Sequence, residues 1–238
     1  MDRNMKPLIE KYPYDMSRKL DNFEKYISRQ SMSRFMARHE LFKKSMGIKG
    51  SIIECGVHYG GGVMAWAKMS ATLEPVAFNR HIIGFDTFEG FPSVHDKDRG
   101  EKDYPELAKG AFSSHDAILA EMNDSIDEFN ENRFIQQYDK VKLVKGDATK
   151  TIPKYVEENK HLVINLLFLD FDIYEPTRVA LEHFLPRMPK GSILAFDEIN
   201  NDHWPGETMA MIEAFGGSLN NMKIEKFYYE PNIAYIQM

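Results

Sequence analysis

The chain has 238 residues, 43% of them hydrophobic and 28% charged, with a formal net charge of −6. That balance describes an ordinary globular protein with room for one sizeable core, and it argues against nucleic acid as the principal partner, which a basic stripe would announce. The N-terminus, MDRNMKPLIEKYPYD, lacks the apolar core of a signal peptide, runs such as LLFL are too short to cross a bilayer, and a lone cysteine, Cys55, excludes an internal disulfide framework; a cytoplasmic protein with no membrane partner is expected.

Residues 1–46 are polar and rich in Met, Arg and aromatics, and read as helices preceding the main domain, a lid or a homo-oligomer contact. The domain itself is expected over 47–238. From residue 51 onward short apolar runs alternate with amphipathic segments. SIIECG (51–56), HIIGFDT (81–87), KVKLVKG (140–146), LVINLLFLD (162–170) and GSILAFDE (191–198) read as strands, most of them continuously apolar, as in a parallel sheet buried on both faces. Helical patterns fall around 62–73, 114–129, 151–159 and 176–188, with Pro176 just inside the start of the last. KIEKFYYEP and NIAYIQM close the chain as a terminal strand pair with one antiparallel member. The expected fold is a doubly wound, mostly parallel seven-stranded α/β sheet of Rossmann-like type. The stretch 91–113, charged and broken by Pro and Gly, reads as a long lid loop.

The first strand runs into ECGVHYGGGVMAWA, whose glycines permit a tight turn and close approach of a ligand to the backbone. Two cofactors compete for it. Gly60-Gly61-Gly62-Val63-Met64-Ala65 satisfies the dinucleotide pattern G-x-G-x-x-A, pointing to an NAD-type oxidoreductase. Glu54-Cys55-Gly56-Val57-His58-Tyr59-Gly60 fits the acid-x-G-x-x-x-G pattern of S-adenosylmethionine sites. Asp86, with Thr87 beside it, suits ribose hydroxyls in either case. Asp147, with Ala148 beside it, lies beyond the third strand, where a carboxylate can accept from an adenine amino group. The Tyr-x-x-x-Lys pair of a short-chain dehydrogenase has only Tyr138 and Lys142 to offer, and these straddle a turn and a strand. S-adenosylmethionine is therefore the favoured cofactor, with Glu54, Gly56, Gly60, Gly62, Asp86, Thr87, Asp147 and Ala148 as its contacts.

LLFLDFDIYEPT (166–177) ends a buried strand in two aspartates, and the fifth strand ends in Asp197-Glu198. Ligands of open α/β sheets sit at the carboxyl ends of strands, and four carboxylates gathered there repel one another unless a positive charge joins them. Oxygen-only donors point to a hard divalent cation such as Mg²⁺. Asp170, Asp197 and Glu198 are the expected metal ligands and Asp172 the general base, with His203 as the alternative base. His203 and Trp204, in NNDHWPGE, are candidate substrate contacts.

At IIECGVHYGGGVMAWA, GFDTFEGFP, KGDATKTIP, FLDFDIYEPT and FDE followed by WPG, the sequence resembles the macrocin O-methyltransferase family, metal-dependent sugar methyltransferases of macrolide and aminocoumarin pathways. The resemblance covers most of residues 50–216. It implies a class I methyltransferase fold, a small sugar-containing acceptor, and methyl transfer from S-adenosylmethionine to a deoxysugar hydroxyl. It also implies a metal held by Asp170, Asp197 and Glu198, with Asp172 as base. Two departures stand out: the acidic pair is Asp-Glu where the family commonly has Asp-Asp, and His58-Tyr59 stands where it commonly has Trp-Arg.

Overall fold

A computed structural model describes residues 8–100 and 104–238. The first seven residues of the predicted N-terminal segment, and three within the predicted loop, lie outside the described residues. Seven strands form one sheet: β1 (Ser51–Cys55), β2 (Ile82–Asp86), β3 (Val141–Lys145), β4 (Ile164–Leu169), β5 (Ile193–Phe196), β6 (Glu225–Lys226) and β7 (Ala234–Gln237). Their order is β3-β2-β1-β4-β5-β7-β6. β1 to β5 pair in parallel, while β7 runs antiparallel to both β5 and β6. The strand order reverses beside β1, so a crevice opens between the carboxyl ends of β1 and β4.

The continuous apolar runs are explained by what covers the two faces. Ile52, Leu166, Phe168, Ile193 and Ala195 point to one side, and Ile53, Leu167, Leu169, Leu194 and Phe196 to the other. The first side is covered by α3 (Arg29–Ser45), α4 (Gly61–Leu73) and α5 (Ile118–Glu131), the second by α6 (Ala148–Glu158), α7 (Tyr174–Phe184) and α8 (Gly206–Ala214). Two short helices, α1 (Leu8–Lys11) and α2 (Met16–Leu20), precede them. α3 is fixed to the sheet by Ala37, Leu41 and Phe42, all fully buried in the first core.

Two helices begin earlier than the pattern predicts. α6 starts three residues sooner because Asp147 caps it, its Oδ1 accepting from the Thr149 N–H at 3.0 Å and from the Thr149 hydroxyl at 2.7 Å. α7 starts at Tyr174, two residues before Pro176, which lies in the first turn where its missing N–H costs nothing. The described residues of the 91–113 stretch form a loop cinched at its base, where Phe91 N–H donates to Ala111 O and Gly110 N–H to Phe91 O. Buried Asp98 pins it to the start of α7 by accepting from the Tyr174 N–H, and accepts from the His95 N–H within the loop.

Candidate active site

The turn after β1 is organised by Asp86 at the tip of β2. Its Oδ2 accepts from Val57 and His58 N–H at 2.7 and 2.8 Å, and its Oδ1 from Phe88 N–H at 2.6 Å. Gly56 has φ +94°, and a Cβ there would lie 1.9 Å from the Asp170 carbonyl oxygen. Glycine is required because the tip of β4 passes directly over it, with Asp170 N–H donating to Cys55 O. Glu54 is buried beneath the turn, and a Cβ on Gly62 would meet its Oε1 at 1.8 Å. Burial pushes Glu54 up to about 7, opposed by Arg38, whose Nη2 is 3.7 Å away.

Gly56, Asp86, Thr87, Ala148, Asp170 and Asp172 all line one cavity of about 280 Å³. Four of the eight predicted cofactor contacts thus share a cavity with two of the four predicted acids, and Asp197 and Glu198 stand outside its lining. Other predicted residues stand back from its wall. Gly60 caps α4 with φ +82°, Gly62 packs on Glu54, and Asp147 is engaged with Thr149 and, at 3.1 Å, Lys150. His203 pairs through Nδ1 with the Tyr104 hydroxyl. Trp204 packs edge-on against Phe91 and Phe112, and those two rings line the cavity mouth.

The acids at the tips of β4 and β5 influence one another. Burial raises Asp170 well above the ordinary carboxylate range, and Asp197 and Asp172 add to it. Burial likewise raises Asp172 to about 7, with Glu198 and Asp197 pushing further and Arg34 opposing. Asp172 has φ +62°, a left-handed conformation that aspartate tolerates better than most residues. His58, Phe88 and Asn200 also take positive φ in the loops following β1, β2 and β5, so backbone strain is concentrated along this edge. Glu198 is turned toward Asn201, whose Nδ2 donates to its Oε2 at 2.7 Å.

The donor set suits a hard divalent cation in kind, being oxygen-only and from adjacent strands, with burial raising Asp170 and Glu198 above the ordinary carboxylate range. It does not converge as it stands: among the described residues, no group of three or more His, Cys, Asp or Glu is disposed to hold a metal ion. The positive charge at the strand tips is a guanidinium. Arg34 of α3 donates from Nη2 to Asp197 Oδ1 at 2.7 Å and lies 3.6 Å from Asp170 Oδ2.

Arg34 was not among the residues predicted from sequence, because nothing local marks one arginine of a basic, Met-rich helix as facing acids more than a hundred positions away. Glu207 was missed as well. It is buried in the first turn of α8, accepts from Glu198 N–H at 3.0 Å through Oε2, and leaves Oε1 without a partner. Burial raises its carboxyl well above the ordinary range. The motif that could have found it is WPGE itself, which puts an acid just after the strand-tip cluster. Phe91 and Phe112 were hidden within the loop.

A family model described as Macrocin-O-methyltransferase (TylF) matches residues 24–216. Two solved structures of CalS11 superpose on the chain. One, titled a calicheamicin methyltransferase, has a TM-score of 0.91 and 33% identity, over 97% of this chain and 88% of that one. The other, an apo form titled TDP-rhamnose 3′-O-methyltransferase, has a TM-score of 0.82 and 28% identity, over 97% and 89%. An 8-demethyl-8-(2,3-dimethoxy-alpha-L-rhamnosyl)-tetracenomycin-C 4′-O-methyltransferase of Streptomyces olivaceus is 27% identical over 152 residues, 64% of this chain. That match spans 54% of the Streptomyces enzyme, about half its length. No described helix is long and apolar enough to cross a membrane. The match takes in the glycine turn, both acid-tipped strands and Arg34 in one span, as the sheet order and the resemblance of the motifs lead one to expect: the chain belongs to the macrocin O-methyltransferase family.

Proposed function

We propose that this protein transfers the methyl group of S-adenosylmethionine to a hydroxyl of a deoxysugar, either nucleotide-linked or carried on a glycosylated product. The relatives named for TDP-rhamnose and a rhamnosyl tetracenomycin support that acceptor class. One observation carries the reading: a single cavity joins Gly56, Asp86, Thr87 and Ala148 to Asp170 and Asp172. Donor and acceptor can meet there without crossing solvent.

In the reaction the acceptor oxygen attacks the sulfonium methyl in line. The C–O bond forms as the C–S bond breaks, S-adenosylhomocysteine leaves, and the hydroxyl proton passes to Asp172. A carboxylate at about 7 is poised to take that proton near neutral pH. Alignment of the reacting atoms within roughly 3–3.5 Å is the chain's main task. Gly56 and the turn held by Asp86 fix the donor end, and Asp172, held in its left-handed conformation, fixes the base. Asp170, Asp197 and Glu198 are the residues that would hold a divalent cation such as Mg²⁺, which when bound would make the acceptor hydroxyl more acidic.

In this reading the segment over 1–46 and the 91–113 loop serve as lid, the catalytic domain spans 47–238, and Phe91, Phe112 and Trp204 flank the acceptor's entry, with His203 nearby. A homo-oligomer in the cytoplasm, without nucleic-acid or membrane partners, completes the proposal. The test is a thermal-shift comparison of S-adenosylhomocysteine with NAD, followed by methyl transfer to TDP-rhamnose. Stabilisation by S-adenosylhomocysteine, with a methylated product in the transfer assay, is expected. Stabilisation by NAD alone would replace this reading with a dinucleotide-dependent oxidoreductase.

A further inference from the structure

The carboxylates that the proposed metal reading assigns to a divalent cation already have a cation, and it belongs to the chain. Arg34 Nη2 lies 2.7 Å from Asp197 Oδ1 and 3.6 Å from Asp170 Oδ2, bridging the tips of β5 and β4. These are two of the three proposed ligands. A guanidinium and a divalent ion drawn to the same oxygens repel each other within a few ångströms, so the two compete for one position. The helix beneath Arg34 is fixed. Ala37, Leu41 and Phe42 are buried, the Ser33 hydroxyl donates to Glu230 Oε2 at 2.8 Å, and Tyr229 bonds Glu40. The Arg34 side chain is freer, with a third of its surface exposed. It can therefore swing toward solvent while α3 stays in place.

We propose that Arg34 is a built-in competitor for the divalent cation: it holds Asp170 and Asp197 together until the ion displaces it, and so sets the ion's affinity. The proposal rests on the metal reading above and goes beyond it in naming the exchange. Arg34 is a positioning residue here, with no direct role at the reacting atoms. Its companion one turn on, Arg38, serves a different acid, Glu54, and stacks over Phe168, so it cannot substitute.

The experiment uses Mn²⁺ as probe, with free Mn²⁺ followed by its electron paramagnetic resonance signal in titrations of the full chain. Arg34→Gln removes the competing charge, and its Mn²⁺ affinity should rise about tenfold or more, as loss of a charge-assisted hydrogen bond to a metal ligand implies. Arg34→Lys keeps the charge but loses the planar fork; it should fall between Gln and wild type, and it serves if the Gln variant does not fold. Asp197→Asn should weaken binding in either background. Equal or weaker Mn²⁺ binding by a folded Arg34 variant overturns the competition while leaving the metal reading intact. If neither wild type nor any folded Arg34 variant takes up Mn²⁺, the metal reading falls and the exchange with it.

Discussion

Asp172→Asn separates proton transfer from structure more cleanly than any other change in this site. Asparagine tolerates the left-handed conformation that Asp172 adopts at φ +62°, so the backbone at the tip of β4 should survive the replacement. What is lost is a carboxyl held at about 7 by burial and by Glu198 and Asp197. In the wild type, about half of that group is ionised at pH 7 and about a tenth at pH 6, so kcat/KM should climb roughly tenfold per unit below 7 and level off above about 8. The Asn variant should be slower by about 10²–10⁴-fold, with that limb of the profile gone. S-adenosylhomocysteine release, followed across this pH range with saturating donor, supplies the measurement. Stability should move as well. The folded-state value lies above the ordinary 3.8, so the native chain holds more protons than the unfolded chain between about 4 and about 7. That contribution is complete below about pH 4 and is lost as pH rises through about 7. The Asn variant should therefore gain stability over wild type at pH 8 relative to pH 4. A variant with full rate and an unchanged profile would refute the base assignment and move attention to His203.

Three other outcomes follow from the same geometry. Gly56→Ala places a Cβ against the Asp170 carbonyl at φ +94°, and should cost about 3 kcal/mol or more in chemical denaturation, or prevent folding altogether. Asp86→Ala releases the N–H groups of Val57, His58 and Phe88, and calorimetry should show S-adenosylhomocysteine binding weakened by about ten- to a hundredfold with the fold retained. Phe112→Ala, at a half-exposed ring on the cavity wall, should raise KM for the acceptor by about tenfold while kcat changes little; an equal fall in both kcat and kcat/KM would place Phe112 in transition-state alignment instead.

The sheet was legible in the sequence because burial on both faces leaves an unmistakable trace. Strands such as IIEC and INLLFL are apolar at nearly every position, Glu54 and Asn165 excepted, because one face meets α3 and α4 and the other meets α7 and α8. Helix starts were less legible where a residue had two plausible duties. Asp147 was read as a ligand contact; its capping bonds to Thr149 put the start of α6 ahead of the predicted position. The glycine turn shows the same ambiguity. Gly56, Gly60 and Gly62 were all read as cofactor contacts, yet of these glycines only Gly56 lines the cavity. Gly62 instead makes room for Glu54, and Gly60 supplies the left-handed cap of α4.

What the sequence could not convey was the charge balance of the edge. Pattern reading locates acids by their strands, because a strand tip has a fixed address in an open sheet, and Asp170, Asp172, Asp197 and Glu198 were found in that way. A compensating cation has no such address. It can come from solvent or from any helix that passes within reach, and the arginines of α3 carry no local mark of their partners. Arg34 and Arg38 do lie four residues apart, which puts them on one face of a helix, and that much is readable. That the face meets the tips of β4 and β5 depends on Ala37, Leu41 and Phe42 docking α3 across the first core, a tertiary fact. The electrostatic argument correctly required positive charge among the acids and named a metal as its source; the fold supplies a guanidinium at the same place. Whether that guanidinium yields to an ion is therefore a question about Arg34 as much as about the carboxylates.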